Sequence, residues 1–296
     1  MNKLMTVVAA SVCAVSFSAT AFAAAEAPAA ENKANAEALE EEEDSILEAG
    51  LDIDLFSAYI WRNVVQTDKP VLQPCAWLDV SLVDWLWIGG FYWQGWDLSD
   101  DRRGANGDFR RRLNESDYNI HVGATAWENE DGDMNLELEA GHEWYTYHFD
   151  NGVPSTRELY LKGKFSNPIV NVYGQVSWLY DDIGDYDSGF YYEIGFNKEF
   201  ELCDELTLGL DWNTSMGDGD YNYFMTGVDD EAGFLGTTLK AYLSWAVTDW
   251  MSLVGTIAYT GLIDSDVRHE YNAGNAWTGR EDKDILWGGV SAKFSF

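Results

Sequence analysis

The chain closes on Leu286-Trp287-Gly288-Gly289-Val290-Ser291-Ala292-Lys293-Phe294-Ser295-Phe296. Leu286, Gly288, Val290, Ala292, Phe294 and Phe296 share one parity, and Trp287, Gly289, Ser291 and Lys293 take the other. Period-two alternation predicts a β-strand with one apolar face. An aromatic residue at the very end of such a strand predicts an outer-membrane assembly signal carried by Phe294 and Phe296.

The opposite end agrees with that compartment. Lys3 begins a positive region, Met5 to Val15 is apolar, and Ala21-Phe22-Ala23 gives a small-x-small cleavage site. Residues 1–23 therefore predict a secretory signal peptide. Ser16, Ser18 and Thr20 end the apolar run well short of the ~20 residues that a helical span needs. Residues 24–46 are Ala/Glu-rich, without aromatic residues, and reach Glu40-Glu41-Glu42-Glu43-Asp44. Such a segment repels itself and has no core to bury, which predicts a periplasmic spacer.

Alternation continues through residues 47–296 and predicts a barrel. Twelve segments stand out, at 47–62, 71–82, 85–96, 115–128, 134–148, 157–166, 169–180, 189–200, 205–215, 234–246, 250–262 and 284–296. Soft boundaries leave ten or fourteen as alternatives. Long connections such as Trp96–Asn114, Met216–Gly233 and Ile263–Lys283 alternate with tight ones at Val83-Asp84, Asn167-Pro168 and Val247-Thr248-Asp249. That is the loop pattern of an all-β, antiparallel, up-and-down transmembrane barrel, with long extracellular loops and short periplasmic turns. Closed barrels and helices are the structures that satisfy every backbone group in lipid.

Composition fits. The chain holds 18 basic and 51 acidic residues, which excludes a nucleic-acid partner, since that needs a basic footprint. The 14 Trp, 16 Tyr and 14 Phe suit aromatic girdles at two membrane interfaces. Cys75 and Cys203 fall at opposite ends of the strand map, too far apart to bridge, which predicts two free thiols.

The first connection carries a resemblance. Ser57, Tyr59, Trp61, Arg62, Gln66, Thr67, Pro70 and Gln73 follow a Ser-x-Tyr-x-aromatic-Arg, Gln-Thr, Pro, Gln order. This stretch, and about 40 residues through Trp96, resembles the opening of the TorF-type porin family. Asn63 stands where that family usually has glycine. The nucleoside-specific channel-forming proteins are similar in size, aromatic content and acidity. Both resemblances imply an outer-membrane channel.

Function in a barrel must lie in the lumen or the loops. The face opposite the apolar stripe carries Asp52, Asp54, Asp79, Glu137, Glu139, Glu143, Glu158, Glu193 and Asp211 against Lys162, Lys164, Lys240 and Lys293. An acidic wall raises local cation concentration. These residues predict a pore lining that favours cations, or a charge-paired filling of the interior. Arg102, Arg103, Arg110, Arg111 and Arg112 crowd one long loop as candidates for binding phosphate or forming a constriction. Asp181-Asp182-Ile183-Gly184-Asp185-Tyr186-Asp187 and Asp218-Gly219-Asp220 offer oxygen ligands for Ca²⁺ without matching an EF-hand. Trp93, Trp96, Trp144, Tyr145, Tyr147, Trp178 and Tyr180 fall near outer strand ends and predict a girdle, or a stacking rim for solutes.

His142 and His148 share the parity of Leu136 and Leu138, the lipid side, and no nucleophile with a partnered histidine stands out. The expected function is a passive channel for small hydrophilic solutes, non-enzymatic and without a cofactor. The alternative is a closed barrel whose loops bind a surface ligand or envelope component, and a barrel hydrolase ranks third. The expected partners are outer-membrane lipid and lipopolysaccharide, the barrel assembly machinery, and small solutes or ions. A monomer is the expected state.

Overall fold

The computed structural model describes residues 46–98, 114–148, 155–181, 188–227, 231–270 and 283–296. The signal peptide, residues 24–45 of the spacer and the Arg102–Arg112 cluster lie outside the described residues.

Twelve antiparallel strands form one closed barrel. In chain order they are β1 (Leu47–Phe56), β4 (Val71–Val83), β5 (Leu86–Asp97), β6 (Asn114–Glu128), β7 (Asn135–Tyr147), β8 (Thr156–Ser166), β9 (Asn171–Leu179), β10 (Gly189–Cys203), β11 (Leu206–Gly217), β12 (Gly233–Thr248), β13 (Met251–Leu262) and β14 (Asp284–Ser295). Two short strands, β2 (Tyr59–Trp61) and β3 (Val64–Thr67), pair separately. Two helices, α1 (Gly219–Thr226) and α2 (Ser265–Glu270), belong to the last two long connections.

Closure runs through the last strand. β14 lies between β13 and β1, with Gly50 opposite Ser295 and Phe56 opposite Gly289. The main chain of Phe296 extends the seam, its N–H donating to Ala49 at 2.9 Å. Phe294 stacks on Trp250, with ring centroids 6.1 Å apart, beside the tight β12–β13 turn.

The outer face is apolar. Ile120, Leu159, Leu161, Leu239, Ile257 and Val290 are exposed along it. Trp85, Trp127, Trp245 and Trp250 are exposed at the short-turn end, and Trp178, Phe190, Phe234 and Tyr259 at the long-loop end. An apolar band between two aromatic belts is what a bilayer solvates. His142 shares this face, between outward Ile120 and Leu159, and bonds Tyr180. Cys75 is buried on the inner wall and Cys203 exposed beside a tight turn, and the two form no disulfide.

The first predicted strand is shorter than its alternation suggests. It stops at Phe56 rather than Arg62, and residues 57–70 fold into the lumen as the β2–β3 hairpin. Arg62 and Asn63 adopt φ of 51° and 65°. Two successive positive φ values make the tight two-residue turn whose twist suits a hairpin. Asn enters that region more readily than most residues with a side chain, which suits Asn63 to the turn.

Inner-face rings lie flat on neighbouring glycines. A Cβ on Gly209 would sit 1.9 Å from the ring of Tyr242, whose hydroxyl donates to Glu199 at 2.5 Å. Gly209→Val should therefore destabilise the barrel by about 1–3 kcal/mol by displacing that ring. A lowered guanidinium unfolding midpoint in lipid vesicles is the expected readout, and an unchanged midpoint would remove the ring packing from the stability account.

Candidate functional site

The hairpin tip meets the far wall on main-chain and side-chain contacts together. Asn63 Nδ2 donates to Ser215 Oγ at 3.0 Å, and Thr238 Oγ1 donates to Asn63 Oδ1 at 2.5 Å. Ser215 Oγ also donates to the Arg62 carbonyl at 3.3 Å. Gly236 makes this approach possible, since a Cβ there would fall 2.7 Å from the Asn63 carbonyl oxygen. From Thr238 the bonds run on to Thr260 at 2.8 Å and from Trp287 Nε1 to Thr260 at 3.0 Å.

Arg62 projects the other way, toward β7, β8 and β10. Its Nη2 donates to Glu158 Oε1 and, at 3.4 Å, to the Tyr145 hydroxyl. Its Nη1 donates to the Tyr221 hydroxyl at 2.5 Å. The guanidinium carbon lies 4.2 Å from the Tyr191 ring centroid and 4.9 Å from that of Trp61. The ion pair is shut away from solvent, its side chains 3% and 0% exposed. Glu143, the register partner of Glu158 on β7, is buried beside it, so Arg62 compensates a like-charged neighbourhood.

Apolar packing completes the closure. Tyr59 packs on Trp93 at 5.3 Å and Trp61 on Tyr145 at 5.2 Å. From the other loops Tyr221, Phe224 and Met225 of α1 and Val267 of α2 join the same buried cluster. Asp218 caps α1, accepting from the N–H of Tyr221 at 2.9 Å and, through its other oxygen, from the N–H of Phe190 at 2.8 Å. In the Asp218-Gly219-Asp220 run, both Asp218 oxygens thus hold main chain. In the other acidic run, residues 182–187 lie outside the described residues.

Beside the hairpin lies a small, water-sized cavity of about 20 Å³, lined by Trp61, Arg62, Phe91, Glu143, Tyr145 and Lys162 among others. The remaining predicted lining residues follow the wall. Asp52–Lys293 at 3.6 Å, Asp211–Lys240 at 3.7 Å and Glu137–Lys164 at 3.7 Å are pairs of register partners on adjacent strands. Glu139 stands opposite Lys162 and accepts from Tyr160 at 2.8 Å. Glu193 accepts from Tyr191, and Asp54 stands opposite Ser291. Asp79 accepts from His121 Nε2 at 2.9 Å while His121 Nδ1 bonds Asn119 at 2.9 Å, so both ring nitrogens are engaged.

Two corrections concern the aromatic rim and Arg62. Trp93, Tyr145 and Tyr147 belong to the luminal cluster, whereas Trp96, Trp144, Trp178 and Tyr180 take the outer parity. Arg62, Glu115 and Asp117 were absent from the predicted lining, although all three are buried in the lumen. The signal for Arg62 was a charge and an Asn between two short apolar runs, inside what otherwise reads as one strand.

No protein-family model matches the chain, and no curated protein matches it. Solved outer-membrane barrels are similar in fold. An outer membrane channel from Pseudomonas putida F1 aligns with a TM-score of 0.47 at 9% identity, over 84% of this chain and 94% of that one. The NanC porin aligns with a TM-score of 0.48 at 9% identity, over 82% and 98%. The KdgM porin gives 0.41 at 8% identity, over 84% and 99%.

Removing one partner of a buried ion pair strands the other charge, at a cost of about 3–5 kcal/mol. Arg62→Ala and Glu158→Ala should each approach that loss, and the double variant should lose clearly less than their sum. Unfolding of the four proteins in vesicles reads the cycle, and strict additivity would mean that the pair is not coupled.

Proposed function

We propose that the chain is a porin-type outer-membrane channel for small hydrophilic solutes, with its lumen stopped at the long-loop end by the 57–70 hairpin. In this reading the long loops face outward and the short turns face the periplasm. The TorF-type resemblance of Ser57–Gln73 falls on the stopper itself.

One contrast carries the reading. The wall's ion pairs join adjacent strands and hug the barrel, while the hairpin reaches across to Glu158 on β8, Ser215 on β11 and Thr238 on β12. An interior built for permanent filling would tie opposite walls together. Wall pairs satisfied between neighbouring strands leave the axis, among the described residues, to the hairpin and the two loop helices packed on it. The surplus of carboxylates over lysines on that wall supports a cation preference, through the field they create in a narrow water path. Passage is passive and non-enzymatic in this reading.

A second reading rests on the apolar cluster. Tyr59, Val64, Phe224, Met225 and Val267 make a stopper as hydrophobic as a protein core. It supports a closed barrel whose long-loop end binds an envelope component.

Planar-bilayer recordings across a salt gradient separate the two. The full-length hairpin should give rare, small openings. Replacing Ala58–Lys69 by a short Gly-Ser turn should raise unitary conductance several-fold, with a reversal potential favouring potassium. Asp54→Lys with Glu137→Lys should move that potential toward chloride. A correctly folded, hairpin-less barrel that stays silent would retire the channel in favour of the second reading.

A further inference from the structure

The surroundings of Arg62 have the composition of a ligand site. Its wall-side partners are one carboxylate, Glu158, two hydroxyl acceptors, Tyr145 and Tyr221, and the ring face of Tyr191. They come from β8, β7, α1 and β10, and each is at most 2% exposed. A carboxylate with ring faces around it is how proteins hold a planar or bulky cation. The set is also incompletely used. Glu158 Oε2 is buried with no hydrogen-bond partner among the described residues.

The occupant is attached differently from its cage. Arg62 sits on a two-residue turn in which both residues take positive φ. Its main-chain anchor is to the opposite wall, through Ser215. The guanidinium and the tip are thus held by two separate sets of groups, so the side chain can leave its cage while Asn63 stays at Ser215 and Thr238. Arg62 and, from its cage, Tyr145 also line the small adjoining cavity.

We propose that Glu158, Tyr145, Tyr191 and Tyr221 form a guanidinium-binding site that Arg62 fills as a tethered occupant, and that guanidinium-bearing solutes are the class that competes for it. This deepens the channel reading and rests on it for the idea of a permeant. The site itself does not require conduction. Displacement exchanges one guanidinium for another on the same carboxylate. The incoming cation takes the bond of Arg62 to Glu158 Oε1, and a two-pronged approach engages Oε2 as well. The freed Arg62 turns toward Glu139 and Glu143, which line the same small cavity, so the exchange strands no buried charge.

Calorimetric titration of the full chain, refolded in detergent, tests the site independently of any current. The probes are L-arginine, guanidinium chloride and L-citrulline, the neutral isostere of arginine. Arg62→Ala, with its cage vacated, should bind L-arginine saturably and at least tenfold more tightly than the parent protein. L-Citrulline should bind at least tenfold more weakly than L-arginine, the loss expected for one charge-assisted hydrogen bond. Arg62→Ala with Glu158→Gln should lose L-arginine binding. Arg62→Gln, which keeps bulk and polarity, replaces Arg62→Ala if the latter does not refold. Equal affinity for L-arginine and L-citrulline, or no gain over the parent, overturns the proposal. Binding by a barrel that stays silent in bilayers would support the site and refute the channel, whereas conduction without binding would do the reverse.

Discussion

Every backbone N–H and C=O that crosses a bilayer needs a partner, and the β1–β14 seam is where this chain meets that demand. The ladder from Gly50–Ser295 to Phe56–Gly289 leaves no open edge in the sheet. Closing twelve strands has a consequence of its own, because the circle is wide enough to need filling or water. The connection from β1 to β4 starts at the seam, on the strand that pairs with β14. Residues 57–70 are therefore already at the mouth when the barrel closes, and a two-residue turn lets them double back into the lumen.

Two different forces hold that hairpin, and they do different things. Apolar burial of Tyr59, Trp61 and Val64 against Trp93, Tyr145 and α1 provides non-directional attraction. It would tolerate small slips of the hairpin. The bonds of Asn63 to Ser215 and Thr238, and of Arg62 to Glu158, do not, because each requires one geometry. A buried ion pair is weak evidence for stability, since desolvation offsets most of its attraction. Its value here is register. The Glu143–Glu158 pairing across β7 and β8 places like charges side by side, so Arg62 is most favourable at one height in the barrel.

Most of the barrel was legible in the sequence because a half-buried strand writes its two environments with a period of two. Twelve segments, the parity of the thirteen luminal charges and the positions of the tight turns follow from that alone. The hairpin was not legible for the same reason. Tyr59 and Trp61 alternate as a membrane strand would, and their aromatic character suits a girdle as well as a lumen. Trp93 and Tyr145 were misread alongside them. At the rim, parity still says inward, but a ring's size and chemistry do not say whether it meets lipid or a folded loop. Asp218 shows a third limit, since a short acidic Gly-containing run does not say that a helix begins beside it, with one Asp218 oxygen accepting from Tyr221 of that helix and the other from Phe190 of β10.

The latch and the wall differ in what happens when water enters. The Asp52–Lys293, Asp211–Lys240 and Glu137–Lys164 pairs stay neutralised by an adjacent strand whatever the hairpin does. Glu158 alone gives up its counter-charge when Arg62 leaves. In a dry interior that loss is prohibitive, but withdrawal of the hairpin itself hydrates the site, and a hydrated carboxylate costs little. The electrostatic barrier to opening therefore falls as opening proceeds, and the persistent resistance comes from apolar surface around Tyr59, Trp61 and Val64. A cation that reaches Glu158 before water does lowers the early part of that barrier. On the proposed site, the identity of the cation, rather than ionic strength in general, would govern the latch.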